Sequence, residues 1–148
     1  MEKQKFYITT PIYYPSDKLH IGHTYCTVAT DALARYKRLA GYDVMFLTGT
    51  DEHGQKIAET AEKNGMTPQA WCDSLAPAFT DAWKTLDIDY TNFVRTTEDR
   101  QTRAVQKFWT DLYEKGWLYK SAYEGWYCVH EETSVSYTHL RAHETDQY

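Results

Sequence analysis

Apolar positions along the chain come in two rhythms: short unbroken runs, and longer segments where they recur every three or four residues. Residues 6–10 are aromatic and β-branched and stop at Pro11, which predicts a short buried strand. Residues 11–19 read as a loop, with Pro15, Ser16 and Asp17 as turn chemistry. From His20 or Ile21 to about Ala40, an apolar stripe of Tyr25, Val28, Ala29, Ala32, Leu33, Tyr36 and Leu39 matches helical spacing. Lys37 and Arg38 suit the last turns of that helix, and Gly41 is placed to end it. Residues 44–47 form a second run of strand length. Strand, helix, strand in this order predicts a right-handed βαβ unit with parallel strands.

The pattern continues with a short helix over residues 55–64, closed by Gly65. Thr67 and Pro68 open the next helix as cap and first-turn residue. Trp71, Leu75, Phe79, Trp83 and Leu86 give it a buried stripe, and Pro77 is expected to kink it. Residues 90–94 predict a strand. A further helix starts at Thr97-Glu98-Asp99 and runs to about Lys115, with Val105, Phe108, Trp109, Leu112 and Tyr113 facing inward, and Gly116 ends it. Residues 117–129 are aromatic and broken by Gly125, which predicts short strands or irregular structure.

Composition narrows the class. The chain has 148 residues, 42% hydrophobic and 16% aromatic, enough for a packed core and one domain or a piece of one. Its net charge of -5 disfavours nucleic-acid binding spread over the whole surface, and no DNA partner is expected. Local contact with RNA stays open. Three widely spaced cysteines, Cys26, Cys72 and Cys128, make a poor disulfide framework and point to a reducing compartment. No segment approaches the ~18 apolar residues of a membrane span, and the start lacks the apolar run of a secretory signal. The expectation is a cytoplasmic α/β protein without a membrane partner.

In an open parallel sheet, ligands bind beyond the carboxyl ends of the strands. Two loops leave such ends here. One is residues 10–19, leading into His20-Ile21-Gly22-His23; the other is Thr48-Gly49-Thr50-Asp51-Glu52-His53-Gly54. His20 and His23, three apart, share one side of a helix's first turn. Unpaired N–H groups there suit phosphate, and two imidazoles can donate to oxygens as charge develops. Gly22 between them would let a flat ring approach the backbone. A pair of polar helix-start residues at the surface is the plainer account of the same spacing. A carboxylate of Asp51-Glu52-His53 could hold an ammonium group or a ribose hydroxyl; Asp51 or Glu52 could equally cap the next helix. Tyr13 and Tyr14 could wall an apolar pocket, or simply fill the core. Cys128 and His130 amount to half a metal knuckle, and no metal is expected there.

With these residues laid out, the chain resembles the amino-terminal part of bacterial methionyl-tRNA synthetases, a family of class I aminoacyl-tRNA synthetases. The resemblance runs from about Lys5 to Thr133. It rests on Thr9-Thr10-Pro11-Ile12-Tyr13-Tyr14, on His20-Ile21-Gly22-His23, and on the loop from Thr48 to Gly54. It implies the first half of a Rossmann-like parallel-sheet catalytic domain over residues 1–115, and the start of a connective insertion over 116–133. It implies that His20 and His23 contact ATP phosphates, that the ATP site comprises His20, Ile21, Gly22 and His23, and that Gly22 lies under the adenine. Asp51 would hold the methionine ammonium, Tyr14 would wall the thioether, and Ile12 would add backbone contacts. The implied reaction joins L-methionine and ATP, with Mg2+ accompanying the nucleotide, into methionyl-adenylate, then transfers the methionyl group to tRNA(Met). Zinc is not expected, because Cys128 followed by Glu131 resembles the zinc-free branch.

The family's second nucleotide motif, Lys-Met-Ser-Lys-Ser, is absent from the chain, so the chain itself is expected to be inactive. Residues 134–148 have neither period nor cap and resemble one reading frame of a common transposase-derived sequencing adapter, so this stretch is expected to be non-native. His139 and His143 accordingly receive no function. Two other readings are a small adenylyltransferase, which uses a similar histidine motif, and a truncated non-catalytic paralogue that binds methionine or a nucleotide.

Overall fold

The computed structural model describes residues 2–15, 18–122, 124–128, 133–135 and 146–147. The chain divides into two compact units, Met1–Gln106 and Lys107–Tyr148.

In the first unit the elements follow as β1 (Lys5–Thr9), α1 (Ile21–Leu39), β2 (Asp43–Thr50), α2 (Gln55–Lys63), α3 (Pro68–Thr85) and β3 (Asn92–Arg95); α4 (Asp99–Glu114) begins here. The sheet has the order β1-β2-β3 and both ladders are parallel. Lys5 to Thr9 pair with Asp43 to Leu47, and Leu47 to Thr50 pair with Asn92 to Arg95. β2 is therefore central, and its last three residues are all buried. Gly49 makes the close approach to β3 possible: a Cβ there would lie 1.9 Å from the Val94 carbonyl oxygen. The α/β class and the parallel βαβ pairing match the expectation.

Burial differs from expectation in four places. β1 is not a buried strand. Its side chains alternate between exposed and half-buried, because it is a sheet edge with one ladder among the described residues. In α1 the apolar stripe faces solvent, while the buried positions are Thr27, Asp31 and Ala34. Small and polar residues can face inward because each finds a partner: Thr27 bonds Tyr13 at 2.7 Å, and Asp31 accepts from the Asp89 amide at 2.8 Å and from Arg35 Nε at 2.6 Å. In α3, Phe79 and Trp83 are buried as expected but Leu86 is exposed, since it is the cap residue beyond the last turn. In α4 no residue is buried, and Val105, Phe108, Trp109 and Tyr113 are all exposed rather than inward. Apolar periodicity marks a face; it does not say whether the described structure covers it.

The core of this unit is Tyr13, Phe79 and Trp83, with Leu19, Ala82, Ile88, Tyr90 and Phe93 packed against it. Local signals explain the element ends. Thr67 Oγ1 accepts from the Ala70 amide at 3.2 Å and Pro68 opens α3. Gly41 ends α1 at a φ of 90°, which a side chain would strain. Pro77 lies inside α3 without ending it.

In the second unit, β4 (Trp126–Cys128) pairs antiparallel with β5 (Thr133–Val135) and with β6 (Asp146–Gln147). Of the segment expected to be non-native, only Ser134, Val135, Asp146 and Gln147 are described. His130, Glu131, His139 and His143 lie outside the described residues. Among the described residues no helix is long and apolar enough to cross a membrane.

Candidate functional site

The first turn of α1 is closed by histidines. His20 is the N-cap: its Nδ1 accepts from the Gly22 amide at 3.1 Å, while its own amide donates to His23 Nδ1 at 3.1 Å. This is a reciprocal capping box, in which imidazoles do the work usually given to Ser or Thr and Glu. The two rings sit 3.9 Å apart between centroids. A nitrogen that accepts carries no proton, so in the neutral form each ring keeps its proton on Nε2. The capping box thus fixes both rings as Nε2–H donors at a helix amino terminus, where a polyanion is favoured. Burial, then the neighbouring His20, lowers the His23 pKa below the ordinary imidazole value, which favours this neutral form.

Gly22 is tied to the same geometry. A Cβ there would lie 2.9 Å from His20 Cε1 and 3.0 Å from its Nδ1. The flat ring over this glycine is therefore His20's own. An alanine would push that ring off the cap.

Tyr13 joins this turn to the second loop. Its amide donates to the Gly49 carbonyl at 2.9 Å, and the Asp51 amide donates back to the Tyr13 carbonyl at 2.9 Å. Its hydroxyl bonds Thr27 Oγ1 at 2.7 Å, which donates to the His23 carbonyl at 2.9 Å. Its ring meets His23 edge-on at 5.1 Å. Of the two tyrosines, Tyr13 therefore belongs to the core. Tyr14 is half-buried and Ile12 is exposed on the same loop. Ile21 is exposed on the outer side of α1.

Asp51 is half-buried and lines a cavity of about 330 Å³ with His53, Thr96, Gln101, Thr102, Val105 and Gln106. Neither Asp51 nor Glu52 caps α2: the N-cap is Gly54, with no side-chain bond. Glu52 instead is sealed inside. Its Oε1 accepts from Thr50 Oγ1 and Arg95 Nε, each at 2.7 Å; its Oε2 accepts from Arg95 Nη2 at 3.0 Å and Thr97 Oγ1 at 2.5 Å. Its backbone amide donates to Thr96 Oγ1 at 2.8 Å. Burial alone would raise this carboxyl; the bonds from Arg95, Thr97 and Thr50 outweigh it and hold the pKa below the ordinary value. Arg95 also reaches Asp73 at 2.5 Å. Glu52 was a candidate only as a loop carboxylate or a helix cap, and Arg95, Thr97 and Asp73 were not candidates. The one signal was an acid next to Asp51, but nothing local pairs it with an arginine 43 positions on.

Cys72 is buried, and burial together with the Glu52 charge pushes its thiol up to about 11, so it is a packing residue. Among the described residues no three His, Cys, Asp or Glu side chains cluster as a metal set.

A three-stranded parallel sheet with a helix rising from its carboxyl end is the Rossmann-like fold of the class I synthetase catalytic domain. The family model described as tRNA synthetases class I (M) matches residues 6–141, and the chain belongs to this family. A methionine–tRNA ligase of Caldanaerobacter subterraneus is 62% identical over 127 residues, 86% of this chain and 20% of the relative. One of Halalkalibacterium halodurans is 55% identical over 145 residues, 98% of this chain and 22% of the relative. The structure of Mycobacterium tuberculosis methionyl-tRNA synthetase in complex with methionyl-adenylate superposes with a TM-score of 0.87 at 35% identity, covering 98% of this chain and 30% of that one. A ternary complex of Agrobacterium radiobacter LeuRS gives 0.80 at 26% identity, covering all of this chain and 20% of that one. The chain spans about a fifth of the length of the curated relatives it matches.

Proposed function

We propose that the chain is the amino-terminal part of the catalytic domain of a methionine–tRNA ligase. The observation that carries this reading is the lacing of two loops at the carboxyl end of the sheet: the histidine-capped turn and the Asp51 loop, joined through Tyr13. Family membership and the methionyl-adenylate complex of a structural relative support it.

In this reading the methionine carboxylate attacks the α-phosphorus of ATP. Methionyl-adenylate forms and pyrophosphate leaves with the bonding electrons; a hydroxyl of the terminal adenosine of tRNA(Met) then takes the methionyl group and releases AMP. The step needs positioning and charge stabilisation rather than a covalent nucleophile from the protein. His20 and His23 donate from Nε2 to the phosphate oxygens, as the capping box predisposes them to do. Ile21 and Gly22 complete the nucleotide turn, Gly22 by leaving room for the His20 ring. Asp51 takes the methionine ammonium, Tyr14 walls the thioether, and Ile12 contributes backbone contacts. Mg2+ enters with the ATP phosphates; the described residues supply no ligand set of their own for it. Residues 116–133 begin a connective insertion, and 134–148 are read as a non-native tail from their adapter-like sequence, against a family match that runs on to residue 141. A cytoplasmic location goes with this reading.

The chain alone is inactive, because it carries only one side of the nucleotide site. A methionine-dependent ATP–pyrophosphate exchange assay tests both statements. A full-length protein bearing this sequence exchanges with methionine, and His23→Ala lowers its rate by about 100-fold or more. The 148-residue chain gives background. Exchange driven by another amino acid contradicts the assignment, and exchange by the isolated chain contradicts the division of the site.

A further inference from the structure

Glu52 is a buried acid that the proposed reaction does not use, only 4% exposed. It sits just past the end of β2, where the ladder to β3 stops at the pair Thr50 and Arg95. From there the chain crosses residues 51–54 to reach α2, and Gly54 ends the span with a φ of 127° and no side-chain cap bond. Asp51 opens the span, and its backbone is held from both sides. The Thr50 carbonyl accepts from the Thr96 amide at 3.2 Å, and the Asp51 amide donates to the Tyr13 carbonyl at 2.9 Å. The Glu52 amide donates to Thr96 Oγ1 at 2.8 Å. The Glu52 carboxylate then anchors the span: Arg95 grips it through Nε at 2.7 Å and Nη2 at 3.0 Å, and Thr97 Oγ1 donates to it at 2.5 Å.

A planar fork that meets a carboxylate at two points fixes orientation as well as distance. Arg95 belongs to β3, so this grip ties the loop to the sheet rather than to another loop. The two neighbouring acids are thereby divided. Glu52 is neutralised by Arg95 and closed off, while Asp51, one residue before it, lines the cavity of about 330 Å³. His20 and His23 are held separately, by their own capping box. We propose that Glu52, gripped by Arg95, is a positioning residue that sets the Asp51 carboxylate for the methionine ammonium, so that this ion pair governs methionine affinity and not ATP affinity. The inference rests on the reading of Asp51 as the ammonium site.

The test is methionine-dependent ATP–pyrophosphate exchange by a full-length protein bearing this sequence, with methionine and ATP varied in turn. Arg95→Lys keeps the charge and loses the fork. Thr97→Val is the gentler variant: it removes one hydroxyl from Glu52 and keeps the side chain's shape. The methionine KM is expected to rise about 10-fold in Arg95→Lys and about 3-fold in Thr97→Val, since a misplacement of ~1 Å costs up to about 100-fold. The ATP KM and kcat stay within about twofold, because the lost interaction serves methionine alone. Asp51→Asn raises the methionine KM by itself, and adding Arg95→Lys to it changes nothing further, because residues that act through one group are not additive. A methionine KM left unchanged by both Arg95→Lys and Thr97→Val overturns the proposal. An equal rise in the ATP KM also overturns it, as the mark of a general loosening. So does the same rise with Arg95→Lys in the Asp51→Asn background, since Arg95 then acts apart from Asp51. If Asp51→Asn alone leaves the methionine KM unchanged, the ammonium assignment falls and the proposal with it, and that result comes from a variant whose Glu52–Arg95 pair is intact.

Discussion

The two polar constellations at the carboxyl end of the sheet are built in opposite ways. Glu52 is enclosed, and both its oxygens are taken by Thr50, Thr97 and the fork of Arg95. His20 and His23, on the neighbouring loop, are tied only through Nδ1 and keep a donor apiece. The first arrangement spends its hydrogen-bonding capacity on the protein and holds the Asp51 loop in shape. The second holds its rings in place and leaves capacity for a ligand. Adjacent polar residues in a candidate site therefore differ in role, and the number of satisfied atoms tells them apart.

The largest effect should come from opening the enclosed side. Arg95→Ala leaves a buried carboxylate without its partner and should lower stability by about 3–5 kcal/mol, read by urea unfolding followed by circular dichroism. Acid should act through the same group. The folded-state pKa of Glu52 is below the ordinary 4.5, so its contribution is fully present above that value and is lost as pH falls through the lower folded value. A urea series from neutral pH downward should show that loss in the original chain and a smaller one in Glu52→Gln.

Cutting the link between the two regions should cost less. Tyr13→Phe removes the hydroxyl's bonds to Thr27 and to the His23 carbonyl, while Thr27 keeps its own bond to that carbonyl, so about 1 kcal/mol is expected in the same urea assay. On the open side, His20→Ala removes an N-cap and should cost about 0.5–1 kcal/mol. Gly22→Ala should act on the same cap by displacing the His20 ring, visible as a shift of the His20 ring resonances with the global fold retained.

Much of this arrangement was legible in the residues. Strand runs, Gly41, Thr67-Pro68 and the spacing of His20 and His23 carry local causes, and local causes can be read along a chain. The burial of β1, of the α1 stripe and of the α4 stripe could not be read in that way. A helical stripe such as Ile21-Tyr25-Val28 reports which residues share a face, while its cover depends on segments far off in the chain. Glu52 and Arg95 meet only because β2 and β3 pair in register, a tertiary fact without a local sign. Tyr13 was ambiguous for a related reason: only its hydroxyl contact with Thr27 and its stacking on Phe79 separate a core tyrosine from a pocket wall.

The central claim is that the capping box holds the ring proton of both imidazoles on Nε2. Long-range nitrogen NMR of the histidine side chains tests it directly. Above pH 7, His20 and His23 should both show the Nε2–H tautomer, and His23 should protonate below the ordinary 6.5. A proton on Nδ1 of either ring, or His23 titrating above that value, would contradict the account.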